Sequence, residues 1–198
     1  MFFIILFFAH LQAFVLPIVL GLKSINKFKN IKNYFLIPIS FVFLGFASMF
    51  EMIDHTQTNW IYIDHSSYFN WLFYSFLSLG LTSLTISVTR NKILIGSNIF
   101  LCIGSVASYW LIDKTMTLSF QVIISIFLII SWQRIFKDWL LIAYPIFGII
   151  FTTFFGTNLS ITGNQIWHIF IGPSGTLSVL TFYLVLKRYK NKFTDTLQ

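Results

Sequence analysis

An all-α bundle that crosses a membrane about seven times is the architecture this sequence predicts, and three observations predict it. Of 198 residues, 57% are hydrophobic and only 10% are charged, against about 45–50% and 25% in a soluble domain. Seven apolar runs are long enough, or nearly so, to cross a hydrocarbon core about 30 Å thick at about 1.5 Å per residue. The basic residues gather in alternate connecting segments, where lysine and arginine fix the orientation of a membrane protein.

The runs follow in order. The first, Phe2–Leu22, carries no basic residue before Lys23 and is longer than the apolar part of a signal peptide, so it reads as a retained span. Tyr34–Ile53 and Tyr68–Ser87 come next, then Ile93–Ile112 and Met116–Trp132, which only Asp113, Lys114 and Thr115 separate. Trp139–Phe155 and Gln165–Leu186 complete the set. No run contains Lys or Arg, and Glu51 is the one acidic residue inside any of them. Trp60, Tyr62, Tyr109, Trp110, Trp132 and Trp139 stand near run ends, where amphipathic rings anchor at the interface. Residues 1–198 read as one integral membrane domain.

Counting from the segment after the first run to the tail, net charges alternate +4, −3, +2, 0, +1, 0, +3. By the positive-inside rule this predicts an exterior N-terminus and a cytoplasmic C-terminus. The formal net charge of +7 is therefore topological, and no nucleic-acid partner is expected. The single Cys102 excludes an intrachain disulfide. No lysine lies within the last run, so a retinal Schiff base of the rhodopsin type is not available.

The polar residues that solubility does not explain collect at one face. The second run ends Ser48-Met-Phe-Glu51-Met-Ile-Asp54-His55, the following loop contains Asp64 and His65, and the last run opens Asn164-Gln-Ile-Trp-His168. In a seven-span chain these ends lie together. If the second helix persists to His55, then Ser48, Glu51 and His55 share one face, and Glu51 and His55 stand one turn apart. An ionisable residue within a span is a functional hypothesis by default. Imidazoles and carboxylates with an open position suit zinc, which lowers the pKa of a bound water to about 7. His55, Asp64, His65, His168 and Glu51 are the candidate ligands, with Glu51 also a candidate general base and Ser48 an oxyanion donor or a support behind the ligands. Asp54, Asp64, His55 and His65 also fit ordinary solvated loop groups. His10, deep in the first run, is expected to be a hydrogen-bonded packing residue. Gly172-Pro173-Ser174-Gly175 predicts either close helix packing or a kink beneath His168.

At these positions the chain resembles the superfamily that joins alkaline ceramidases and adiponectin-receptor-like proteins. Ser48, with His55 as its nearby histidine, is similar to that family's serine and histidine at the end of span two. Asp64 matches its aspartate by location, and Trp167-His168 matches the second histidine of its last pair. Asn164 stands where the first histidine of that pair would be, and Met52 where Ser-x-x-x-His would place a histidine. The resemblance implies a seven-span bundle with a zinc site near one face, hydrolysing an amide or ester of a lipid-like substrate in the membrane. The alternative is a non-enzymatic small transporter or assembly protein whose exterior His and acidic groups bind a cation or a partner. A transporter would show a charged path through the bilayer, whereas below Glu51 only weak polar groups such as Ser75, Ser78, Thr82, Ser105, Ser108 and Gln121 occur.

Overall fold

The computed structural model describes residues 2–29, 33–57 and 67–189. Helices α1 (Phe2–Lys27), α2 (Leu36–Gln57), α3 (Tyr68–Val88), α4 (Lys92–Leu111) and α5 (Lys114–Phe136) form the first five spans. The sixth is composite: a 3-10 turn, Trp139–Ile142, leads into a π-helical stretch, Pro145–Phe151, and then α6, Thr152–Thr162. Helix α7 (Ile166–Tyr189) closes the chain. All seven segments are long and apolar enough to cross a membrane, and no strand occurs among the described residues. The protein is an integral, multi-pass membrane protein. Large side chains such as Phe8, Ile93, Phe100, Ile103 and Leu111 are exposed on its outer surface, which is tolerable where lipid replaces water.

Breaks between helices occur where the backbone gains a local cap. Ser67 accepts from the Asn70 amide to start α3, Asn91 from Ile93 and Leu94 to start α4, and Asp113 from Met116 to start α5. Gly163, at φ +64, stops α6 in the left-handed conformation that glycine adopts without strain.

Helix α2 packs between α1 and α3, α5 packs on α3 and α4, and α7 packs on α1 and the sixth span. The apolar core lies toward the C-terminal half of α7, where Trp132 is fully buried against Phe136 and Phe182 at 5.1 and 5.0 Å between ring centroids. Trp132 is therefore not the interfacial anchor expected of it: its Nε1 donates to the Leu84 carbonyl at 3.0 Å across to α3. Tyr109 is buried as well, donating to Asn70 Oδ1 at 3.0 Å. Trp110 and Trp139 are exposed, in keeping with anchors, and Trp60 and Tyr62 lie outside the described residues.

Several of the weak polar groups in the spans join helices. Ser78 and Ser105 meet at 2.8 Å, and Gln121 donates to Ser78 Oγ at 3.0 Å and to the Tyr74 carbonyl at 2.9 Å. Such bonds contribute about 0.6 kcal/mol each between helices in lipid.

At the opposite end of the bundle from the candidate site, Arg188 of α7 donates to both oxygens of Asp138, at 3.0 and 2.9 Å, while Asp138 accepts from the Leu140 amide. The Asp138 side chain is fully buried. Asp138→Ala is expected to cost about 1–3 kcal/mol, read as a lower Tm in detergent. An unchanged Tm would show that the pair does not fasten α7 to the sixth span.

Candidate metal centre

Helix α2 continues past Ile53 to Gln57, so Glu51 and His55 do share a face one turn apart. Glu51 Oε1 lies 3.8 Å from His55 Nε2, and its other oxygen, Oε2, lies 4.0 Å from His10 Nε2. The carboxylate thus spans α2 and α1. His168, in the first turn of α7, completes the group: its ring stands 4.3 Å from that of His55 and 4.8 Å from that of His10, centroid to centroid, both edge to face. His10 and His55 rings are 5.5 Å apart.

One donor atom from each of His10, Glu51, His55 and His168 lies within 4.8 Å of the others. Four donors at zinc bond lengths of about 2.0–2.1 Å stand about 3.3 Å apart in a tetrahedron. The donors would have to draw in by up to about 1.5 Å to share an ion. The three imidazoles are buried, and Glu51 is 17% exposed.

The protein also sets ring chemistry. His10 Nδ1 faces the Leu6 carbonyl at 3.0 Å, and a carbonyl can only accept, so Nδ1 carries the proton and Nε2 keeps its lone pair in the neutral ring. His168 Nδ1 faces Gln165 Oε1 at 3.2 Å, an amide oxygen that accepts when Nδ1 carries the proton. Metal-ligating histidines characteristically donate their second N–H in this way.

Helix packing brings the rings together. Gly172 lies one turn beyond His168, and a Cβ there would sit 2.6 Å from the carbonyl oxygen of Ala9, the residue before His10. Only a glycine permits that approach of α7 to α1. Close packing is the role of Gly172, and α7 runs as one helix through Pro173.

Three expected site residues sit here: Glu51, His55 and His168. Ser48 lines the cavity one turn below Glu51. Asp64 and His65 lie outside the described residues. Asp54 is buried and accepts from Ser67 Oγ, tying the end of α2 to the cap of α3, so it is a structural acid and not a solvated one. Asn164 accepts from the Ile166 amide at 3.0 Å and helps start α7. The residue sequence reasoning missed is His10, which makes the expected backbone bond and also joins the cluster. Its signal was numerical: the chain has four histidines, and three of them converge.

Beneath the cluster opens a cavity of about 510 Å³, reaching Leu44 and Phe182 in the interior. Its walls are mostly apolar, with Gln121, Ser125 and Tyr144 among the polar exceptions.

The profile of one protein family, described as a seven transmembrane receptor (7TM_cyano), matches residues 2–192. No curated protein and no solved structure matches the chain. The match overturns the resemblance to alkaline ceramidases and adiponectin-receptor-like proteins, since the family that spans the chain is a different one. The geometry accounts for the false likeness. The serine, histidine and tryptophan-histidine positions are real, but the cluster takes its further donor from α1 through His10, and Asn164 serves as a cap.

Proposed function

We infer, from the seven-transmembrane receptor family to which this chain belongs and from its polar cluster, that the protein is a receptor-like membrane protein that holds a zinc-class ion between α1, α2 and α7. The observation that carries this reading is the convergence of His10, Glu51, His55 and His168 within 4.8 Å. Nitrogen and carboxylate oxygen donors in a four-membered set suit zinc. Helices α2 and α7 share little direct packing, so an ion ligated from both would fasten them. Loading and release would then change how firmly α7 is held, the kind of two-state bias a receptor needs. The charge pattern of the connecting segments supports an exterior position for the site.

Four protein donors complete a tetrahedral zinc, and completed sites serve structure or sensing. Hydrolysis of a lipid amide or ester would instead require Glu51 to leave the ion, act as general base, and cede its place to water. Ser48 in the cavity wall is the feature favouring that second reading. Glu51→Gln separates the two. As a ligand change it weakens zinc binding by at least tenfold; zinc retained at full affinity, with loss of lipid-amide hydrolysis in vesicles, would favour the enzyme.

A further inference from the structure

The cavity is lined by two spans that pack little on each other and by one lysine, neither of which the metal reading uses. Among the described residues α5 packs on the sixth span mainly at the 3-10 turn, and Tyr144 and Ser125 join there through hydroxyls 2.8 Å apart. Past that bond the two spans do not pack closely, although both line the cavity, α5 through Leu118 and Val122 and the sixth span through Thr153 and Gly156. In a bilayer the outward faces of these two spans meet hydrocarbon, so a ligand passing between them would come from lipid.

Two glycines keep the space open. Gly156 and Gly175 both line the cavity, and a Cβ built on either meets no atom within 4 Å. They differ in this from Gly172, where glycine is required by packing. Lys114 is the only Lys or Arg among the described residues that line the cavity. It is half-buried at the start of α5, with Nζ 5.6 Å from the Tyr74 ring centroid. A helix N-terminus adds partial positive charge at the same place.

We propose that this cavity binds a single-chain anionic amphiphile, a long-chain carboxylic acid drawn from the bilayer through the gap between α5 and the sixth span. Its head group lies on Lys114 and its chain lies along the α5, α6 and α7 walls. The volume falls within the range of about 300–1,000 Å³ for small-molecule sites, and the lining has the apolar wall with few polar groups that such a ligand needs. The binding does not depend on the zinc reading.

The test is saturable binding of a radiolabelled sixteen-carbon carboxylic acid, and of the matching alcohol, to purified protein in nanodiscs. Loss of a charge-assisted contact corresponds to about tenfold in affinity. Lys114→Gln is expected to weaken the acid by about that factor and leave the alcohol unchanged. Gly156→Trp, and separately Gly175→Leu, should abolish binding of both while the protein stays folded by Tm. Chelator-treated protein should bind the acid as well as untreated protein. Acid binding that survives both glycine substitutions would overturn the site, and equal weakening of acid and alcohol by Lys114→Gln would overturn the head-group assignment. Loss of acid binding on chelation would move the head group to the ion, contradicting Lys114 while supporting the metal.

Discussion

Replacing His168 by alanine is expected to empty the metal site. Purified wild-type protein should carry about one zinc per chain when prepared with the metal, and His168→Ala should bind it at least 100-fold more weakly. The magnitude follows from position. His168 is the only member of the group on α7, and its removal leaves a pair on α2 and one ring on α1. Loss of a partner behind a ligand costs about 10–100-fold, and loss of a ligand should exceed that. Gln165→Ala supplies the comparison, since Gln165 stands behind His168 at Nδ1 and its loss should stay within the lower range. Equal affinities for wild type and His168→Ala would remove α7 from the site.

The second large effect is expected at Gly172, which touches no ligand. Glycine to alanine within a helix ordinarily stabilises by about 0.5–1 kcal/mol. At Gly172 the added Cβ would meet the Ala9 carbonyl oxygen at 2.6 Å and its carbon at 3.2 Å. Both are backbone atoms of α1, so relief requires the two helices to part. Overpacking of this kind costs about 1–3 kcal/mol, enough to reverse the usual sign. The parting would also separate His10 from His168, so Gly172→Ala should lower both Tm and zinc affinity. Gly175→Ala, one turn along with open space at its Cβ, should leave zinc affinity unchanged and Tm equal or higher. Equal behaviour of the two variants would contradict the role given to Gly172.

Lipid explains how much of the fold the sequence carries. A span must satisfy its own backbone over some twenty residues, so each run is visible and most observed helices begin within a few residues of the expected positions. The sixth span is the largest discrepancy. Its apolar run closes at Phe155 because Gly156, Thr157, Asn158, Ser160 and Thr162 dilute it, yet the helix persists to Thr162. Asn158 and Thr162 donate to their own helix, to the Phe154 and Asn158 carbonyls at 2.8 and 2.6 Å, so they do not end it.

Which way a side chain points around its helix is harder to read, and the burial of Trp132 and the place of His10 in the cluster are both of that kind. A tryptophan four residues before the end of α5 stands at interfacial height whether it faces lipid or core. Asp54 reads as a loop acid until α2 is known to continue to Gln57. For the site, the α2 pair was legible because both residues lie on one helix at fixed spacing. His10 was not, because its partners come from two other helices, and the close approach that selects them depends on Gly172.

X-ray absorption at the zinc edge on metal-loaded protein in nanodiscs tests the central claim most directly. The account predicts a first shell of four nitrogen or oxygen donors at about 2.0–2.2 Å, with the outer scattering of three imidazole rings. A shell containing sulfur at about 2.3 Å, which only Cys102 or a methionine could supply, would contradict it. So would zinc surrounded by water oxygens without imidazole scattering.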